Sequence, residues 1–258
     1  MRAPLSSITI TVLTQENNTI FQIYLSDVQL DLPEGLRSCQ DEVRRNFGQY
    51  AYRLLNRETL RAFIASAYGG DVLWAYDQLK PYAYKADLGR YCLLHHFGGW
   101  YADVTLKVLA GAPLLPDTKL IYFYDHGNGP TQSGHFCQNG LFYAQKQLPL
   151  LADLITTVVR HCKERYIGPT ALSPTGPGLF GRLIAQHVPQ KGMHHGYFMQ
   201  LTPHHKQKNR AYVGPKGEII ALHKSAWNPQ ATEGRLDAFG AKGVNAYTTM
   251  WLNKQVYA

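Results

Sequence analysis

Apolar positions along this chain follow two patterns, short β-rich runs and longer runs with helical spacing. The β-rich runs predict strands at residues 19–25, 50–56, 100–109, 119–126 and 138–145, and a hairpin over 211–224. The helical pattern predicts helices over 36–49, 59–68, 71–79, 83–97 and 149–166, and a loop leading into a helix over 173–188. Glycine pairs or a proline stand where three of these helices should end, as helix-terminating residues do.

Strands that alternate with helices favour an α/β fold, in which ligands bind at the carboxyl ends of parallel strands. The run 19–25 is predicted to be the first parallel strand. The chain has 258 residues and shows neither an internal repeat nor a low-complexity linker. Because this length suits one large domain, residues 1–258 are predicted to form a single domain.

The segment YKADLGRYCLLHHFGGWYADVTL, residues 84–106, holds most of the candidate chemistry. Its first part is a predicted helix that ends at Gly98-Gly99. Asp87 and Arg90 are three residues apart, so they share one face of this helix. Such a pair is either a surface ion pair of little energetic consequence or part of a ligand site.

The second part of this segment is a predicted strand. Alternation along a strand directs Tyr101, Asp103 and Thr105 to one side. The opposite side is apolar and suits a core, with Trp100, Ala102, Val104 and Leu106. Two acids in an Asp-x-Asp arrangement would face one hard divalent cation, which a diphosphate then shares. Here Thr105 replaces the second acid with a neutral oxygen, which weakens binding of Mg²⁺ or Mn²⁺ unless a third group contributes.

A candidate third group is His223, which follows the apolar run EIIAL. Imidazole is an acceptable ligand of Mn²⁺, although a single histidine is also a common structural residue. The predicted metal ligands are therefore Asp103, Thr105 and His223, with Mn²⁺ or Mg²⁺ as the ion. The Thr105 substitution leaves the strength of the metal requirement open.

Composition and charge narrow the class of protein. Hydrophobic residues make up 45% and charged residues 17%, which is ordinary for a globular domain. The net charge of +8 attracts anions such as nucleotides, phosphorylated glycans, nucleic acid or acidic lipid. The densest basic patch, HHKQKNR at 204–210, is short for a nucleic-acid arm and is typical of a solvated loop. No nucleic-acid partner is predicted.

Cysteine usage and apolar run length bear on location. Cys39, Cys92, Cys137 and Cys162 form no C-x-x-C pair, so a zinc ribbon is unsupported. The N-terminal segment lacks a sustained apolar core, and no run reaches the ~18 apolar residues of a membrane span. The favoured location is the cytoplasm, with reduced thiols and with contact to the inner face of the membrane left open.

The block AYKADLGRYCLLHHFGGWYADVTL resembles the conserved block of the DXD-motif sugar-transferase family. This family includes bacterial capsule and lipooligosaccharide transferases, initiating mannosyltransferases of the yeast type and relatives of the clostridial glucosylating toxins. The matching positions are Asp87, Arg90, Leu94, Gly98, Gly99, Tyr101 and Asp103. Weaker similarities occur in IFQIYLSD, QNGLFYA, SPTGPGLFGRLI and LHKSAW, so the resemblance touches most of residues 19–228.

The resemblance implies a GT-A type nucleotide-sugar-binding fold, a Rossmann-like mixed sheet flanked by helices. It also implies retaining transfer from a UDP- or GDP-sugar. The implied catalytic residues are Asp87, Arg90, Asp103 and Asn139. The implied donor-binding residues are Gln22, Ile23, Tyr24, Lys85, Asp87, Arg90, Tyr91, Gly99, Tyr101, Asp103, Thr175, Gly176, Pro177 and Trp227.

Three classes of function remain at this point. The leading hypothesis is a glycosyltransferase that acts on a glycan or lipid-linked glycan, in bacterial surface polysaccharide or lipooligosaccharide synthesis. The second is a degenerate transferase that binds a nucleotide or glycan without turnover, which Thr105 motivates. The third is a basic protein of nucleic acid or membrane surfaces. Its aromatic tail at 246–257 either contacts a lipid-linked acceptor or packs in the core. The oligomeric state is not indicated.

Overall fold

The computed structural model describes residues 17–126, 136–202, 209–228, 230–231 and 236–258. The N-terminal segment 1–16 and most of the basic patch at 204–210 lie outside these residues. The strands are β1 (Thr19–Ile23), β2 (Ala51–Leu55), β3 (Gly99–Ala102), β4 (Lys107–Val108), β5 (Leu120–Asp125), β6 (Cys137–Ala144), β7 (Met193–Gln200), β8 (Arg210–Val213) and β9 (Ile219–Leu222). The helices are α1 (Glu34–Asn46), α2 (Arg57–Ala67), α3 (Gly70–Gln78), α4 (Tyr82–Phe97), α5 (Pro149–Glu164), α6 (Pro177–His187), α7 (Lys224–Trp227) and α8 (Tyr247–Leu252).

Within the described ranges, nine strands form one mixed sheet in the order β2-β1-β3-β6-β5-β7-β8-β9-β4. Strand β1 pairs in parallel with β2 and β3, which confirms it as the first parallel strand. Strand β6 is antiparallel to both β3 and β5, whereas β5 and β7 are parallel. The carboxyl ends of β1, β3, β5 and β7 therefore meet at one edge of the sheet, and the predicted α/β class is confirmed.

Helices cover both faces of the sheet. On one face, α4, α5 and α6 enclose a core that includes Leu88, Phe142, Leu154 and Phe180. On the other face, α1 packs over a second core built around Val43, Phe47, Trp100 and Phe123. Helix α1 buries only Leu36, Cys39 and Val43, at the spacing of one helical face. The long α4 is buried over most of its length, so its polar side chains need partners inside the protein.

The predicted elements are found close to their expected bounds except for one strand, and the structure adds β7 and the short helices α7 and α8. The strand predicted over 100–109 is wrong, because β3 ends at Ala102 and a turn follows in which Leu106 donates its N–H to the Asp103 carbonyl. The chain then continues into β4, which pairs with β9 at the far edge of the sheet. Strand β7 was not predicted, because its His-rich sequence MHHGYFMQ is half exposed and lacks a clear apolar alternation.

Gly99 begins β3 in a backbone conformation, φ +103°, that L side chains rarely adopt. A Cβ at this position would lie 2.2 Å from the Thr19 carbonyl oxygen of β1. We expect Gly99→Ala to lower the free energy of unfolding by about 2–4 kcal/mol, because both strain and a backbone collision oppose it. Urea denaturation measures the change.

Gly217 supplies the matched control for this substitution. Its φ is +86°, and nothing lies within 4 Å of an added Cβ. Gly217→Ala should therefore cost only the strain, about 1–2 kcal/mol. Equal losses in the two variants would contradict the close packing of β3 against β1.

Two further observations concern the cysteines and the apolar character of the helices. All four cysteines are buried and free. In the described parts of the chain, no helix has the length and apolar character needed to cross a membrane.

Candidate active site

A cleft opens at the edge of the sheet where β1 and β3 end. Its walls come from these strand ends, the first half of α4, the start of α6, the turn after β9 and residues 236–247. The predicted site residues that line it are Ile23, Asp87, Arg90, Tyr101, Asp103, Thr105, Asn139, Gly176, Pro177 and His223. The cleft thus lies at the carboxyl ends of parallel strands, where an α/β sheet commonly binds its ligand.

Arg90 lies at the floor of this cleft and joins three secondary-structure elements. Its guanidinium nitrogens lie 3.2 Å from an Asp87 oxygen and 3.2 Å from an Asp103 oxygen. One of them also donates to the Asn139 carbonyl at 2.7 Å, and the guanidinium carbon lies 4.2 Å from the Tyr101 ring centroid. Because Arg90 and Asp87 are both buried, they do not form the surface ion pair that their spacing alone allowed.

Asp87 is surrounded by donors. Besides Arg90, its carboxylate accepts hydrogen bonds from the Asn139 amide at 2.9 Å and from the Thr175 hydroxyl at 2.7 Å. Burial raises the pKa of this carboxyl, against the opposing effects of Arg90, Thr175 and Asn139. Tyr91 completes the network, since its hydroxyl accepts from the Asn139 amide and donates to the Thr175 carbonyl, each at 2.8 Å.

The loop that carries Thr175 is held from both sides. His161 of α5 makes a 2.7 Å hydrogen bond with the Pro174 carbonyl on one side. On the other side, a Cβ at Gly176 would lie 3.2 Å from the Asp87 carboxylate, so the loop backbone packs tightly on that acid. The sequence did not single out His161, because one histidine on an amphipathic helix carries no functional signal.

Asp103 is placed by its backbone as well as by its side chain. Its N–H donates to the Gly140 carbonyl at 2.7 Å, and its carbonyl accepts from the Gln22 amide at 3.3 Å. The Tyr101 hydroxyl donates to its carboxylate at 2.8 Å. A Cβ at Gly140 would lie 2.7 Å from the other carboxylate oxygen. The side chain is 38% exposed, so it is held in orientation and still open to the cleft.

Thr105 and His223 line the same cleft as Asp103. Thr105 lies in the turn after β3, where its carbonyl accepts from the Trp227 indole at 3.2 Å. His223 caps α7 and makes a 2.8 Å hydrogen bond to the Ser225 hydroxyl. In the described part of the chain, no three His, Cys, Asp or Glu side chains group as metal ligands. A carboxylate, a hydroxyl and an imidazole still fit Mn²⁺ in kind, and they suit Mg²⁺ less well because it prefers oxygen ligands.

The comparison with protein families bears on this cleft. A family model described as the glycosyltransferase sugar-binding region containing DXD motif matches residues 33–119, which include Asp87, Arg90 and Asp103. The resemblance to DXD-motif sugar transferases is confirmed. Asn139, the Thr175 loop and His223 lie outside the matched sugar-binding region.

Individual relatives agree with this result. Over 90 residues the chain is 30% identical to a protein of Acanthamoeba polyphaga mimivirus described as an uncharacterized glycosyltransferase. That alignment covers 34% of this chain and 35% of the relative, so the chain matches about a third of the relative's length.

Among solved structures, the PaToxG glycosyltransferase matches with a TM-score of 0.50 at 16% identity, over 67% of this chain and 70% of that one. This match, at low identity, shows the GT-A type of fold. Mouse xyloside xylosyltransferase 1 aligns with a TM-score of 0.39 at 10% identity, over 68% and 83% of the two chains.

Several predicted donor-binding residues lie behind or away from the cleft wall. Gln22 and Trp227 hold the backbone of the turn after β3, whereas Tyr24 is buried and donates to the Gln29 side chain. Lys85 points away, and its ammonium donates to the Tyr76 carbonyl at 2.5 Å. Burial lowers the pKa of Lys85 to about 8. Tyr91 and Thr175 lie behind Asp87 and Asn139, and Gly99 lies at the opposite end of β3.

The structure adds cleft residues that the sequence did not single out. They include Tyr82, Tyr84, Gln138, Lys224 and Asn245. Asn245 accepts from the Tyr82 N–H at 2.9 Å and donates to the Lys80 carbonyl at 3.0 Å, which fixes the C-terminal segment against the start of α4. The aromatic tail packs in the core through Val256 and Tyr257, and it lines the cleft through Tyr247.

Proposed function

We propose that the protein is a retaining glycosyltransferase that moves a sugar from a nucleotide-sugar donor to a glycan acceptor. The observation that carries this proposal is the buried arrangement of Arg90 between Asp87 and Asp103 at the floor of the cleft. Buried charges are costly unless they are paired and hydrogen-bonded. In this arrangement one acid remains partly exposed to the cleft, where donor hydroxyls and the diphosphate would bind.

The pairing and burial of the cleft carboxylates support a retaining reaction. Among the described residues that line the cleft, the acids are Asp87 and Asp103, and both pair with Arg90. Asp87 is buried under three donors, so it is poorly placed to attack a sugar carbon or to deprotonate an acceptor. We therefore favour attack on the same face of the sugar that the leaving group departs from. The bond to the diphosphate breaks as the bond to the acceptor oxygen forms, and a donor phosphate oxygen takes the acceptor proton.

A divalent cation belongs to this proposal, with Asp103, Thr105 and His223 as the residues that would be its ligands. When bound, it would neutralise charge that develops on the leaving nucleoside diphosphate. The protein's own residues hold the donor: Asp103 and Arg90 lie at the floor of the cleft, and Asn139 with the Thr175 loop fixes the buried end of the site. A role in bacterial surface glycan synthesis, on a lipid-linked acceptor at the inner face of the membrane, stays a prediction from the resemblance.

Donor identity and metal need are tested together. The measurement is hydrolysis or transfer with a panel of UDP- and GDP-sugars, each with Mn²⁺, with Mg²⁺ and with chelator. We expect one donor to be turned over, and NMR of the product to show the anomeric configuration of the donor. If no donor of the panel binds, the proposal fails, and an inverted product would overturn the retaining course.

Thr105→Asp tests whether the proposed set of metal ligands lacks a second carboxylate. A second carboxylate beside Asp103 should raise the affinity for Mn²⁺ by about tenfold or more, since carboxylates are strong ligands of divalent cations. Titration of Mn²⁺ by calorimetry or electron paramagnetic resonance measures it. Thr105→Asn, which is close in shape but neutral, is the control, and an equal gain in both variants would argue against a metal at this position.

The alternative is a transferase fold that binds a nucleotide sugar without turnover, which the neutral Thr105 favours. Tight donor binding with no product after long incubation, in both wild type and Thr105→Asp, would support this alternative.

A further inference from the structure

A cluster of rings lies on strands β5 and β7, outside the cleft. It consists of Tyr122 and Tyr124 on β5, His126 directly after β5, and His195 and Tyr197 on β7, and we call it the aromatic platform. Neighbouring rings have centroids 5.0–6.0 Å apart across and along the two strands. The cluster is therefore continuous over two residue pairs of the sheet and extends to His126 just beyond them.

The register of the two strands explains why these rings share one face. Tyr122 pairs with His195 and Tyr124 pairs with Tyr197, and paired side chains project from the same side of a sheet. The inner end of the platform is buried at Tyr122, whereas His126 and His195 are exposed and Tyr197 is 38% exposed. The platform thus extends from the buried core to the solvent-exposed surface.

The side-chain types on this surface indicate the class of ligand that it would bind. On the platform face, the described positions of β5, β7 and β8, together with His126 after β5, carry no lysine, arginine, aspartate or glutamate. These residues are Leu120, Tyr122, Tyr124, His126, Met193, His195, Tyr197, Met199, Ala211 and Val213. At these described positions, a phosphate-bearing ligand such as nucleic acid or acidic lipid would find no lysine or arginine to pair with. Flat rings with hydroxyl and imidazole edges suit a ligand that is apolar on its faces and polar at its rim. A neutral sugar chain has this character.

The platform is continuous with the wall of the cleft. Tyr124 pairs with Cys137 of β6, and Cys137 lies two residues before Asn139 on the same face of that strand. From strand spacing and rise, the Tyr124 and Asn139 backbones lie about 8 Å apart. The Thr175 loop, which packs on Asp87, leads directly into α6. Phe136 next to β6 packs against Gly178 at the start of α6 and so connects the two surfaces.

We propose that the aromatic platform binds the acceptor, as a neutral oligosaccharide stacked on the rings with its reacting end directed toward the cleft. This inference rests on the proposed function and deepens it, because it assigns the chemical class of the acceptor and the surface that holds it. Tyr197 is the outer ring of the platform, and its loss should weaken acceptor binding without changing donor binding.

The experiment measures binding of neutral hexasaccharides of glucose, mannose, galactose and N-acetylglucosamine, with heparin and a single-stranded oligonucleotide as charged comparators. We expect the wild type to bind at least one neutral hexasaccharide, and Tyr197→Ala to weaken that binding by about tenfold. Tyr197→Leu, which keeps apolar bulk and removes the ring, should weaken it as well. Trp74→Ala is the matched control, since Trp74 of α3 is 39% exposed and distant in sequence from the platform; its affinity should equal that of the wild type.

Three results would overturn the proposal: binding of none of the neutral sugars, unchanged affinity in Tyr197→Ala, or a change in the mass of the protein in solution on that substitution. The last would make the platform a protein interface. UDP- and GDP-sugar binding, measured on the same samples, separates this proposal from the enzymatic one. If no donor binds but hexasaccharide binding still depends on Tyr197, the result supports glycan binding by the aromatic platform and contradicts the proposed glycosyltransferase activity.

Discussion

Asp103→Ala is expected to lower the rate of sugar transfer by about 100- to 1,000-fold, the loss typical of removing one preorganised electrostatic group from an active site. Asp103 is the acid of the Arg90 network that remains open to the cleft, and both Tyr101 and Arg90 hold its carboxylate in position. The rate is measured as donor hydrolysis or transfer with the donor found in the panel.

The fold should survive this change. The side chain is partly exposed, and Arg90 keeps Asp87 as its partner. Asp103→Asn is the matched control, because it retains the shape and removes the charge. It should also lose most activity while the thermal melt stays near that of the wild type. An unaffected rate in either variant would disprove the assignment of Asp103 to the reaction.

Arg90→Met is expected to lower the free energy of unfolding by about 3–5 kcal/mol, because it leaves Asp87 as an unpaired charge in the protein interior. Arg61→Met is the control for loss of an arginine as such. Arg61 pairs with Asp77 at 2.7 Å, but both side chains are about half exposed, so the loss should be about 0–1 kcal/mol.

The pH dependence of the free energy of unfolding provides a second test of the Arg90→Met substitution. Burial already raises the pKa of Asp87, and the loss of Arg90 removes an effect that lowers it. A carboxyl whose folded pKa exceeds its unfolded value favours the folded state at low pH, and this advantage is lost as the pH rises through the folded pKa. The deficit of Arg90→Met should therefore shrink on acidification below neutral pH. Adding Asp87→Asn should recover part of the stability at pH 7, and no recovery would argue against an unpaired charge as the cause.

Local pattern was sufficient for most of the fold. Helix α4 and its stop at Gly98 follow from apolar spacing and a glycine that adopts a positive φ, both of which act within a few residues. The pattern failed beyond Asp103. Its N–H still bonds to Gly140 of β6, a residue 37 positions later in sequence, and the chain then leaves the sheet in the turn that Leu106 closes on the Asp103 carbonyl. Alternation alone contains no information about such a partner.

The site was predictable from sequence only where its charged residues occur in one short segment. Asp87, Arg90 and Asp103 occur within 17 residues, and their type and spacing were enough to place them together. Their burial was not predictable, since it depends on Asn139 and Thr175 arriving from later elements. The platform likewise depends on β7 lying beside β5, a pairing that a His-rich sequence does not indicate.

The contact between Asn245 and the start of α4 joins residues 163 positions apart, and Ser26 bonds to Lys242 across 216 positions. Contacts of such long sequence separation form late, because the chain entropy lost in closing them is large. The cleft wall should therefore be the last part of the protein to assemble. During refolding, donor binding should appear after the bulk of the helical signal. The rate at which binding recovers would then measure the final step, in which the C-terminal segment docks on the cleft.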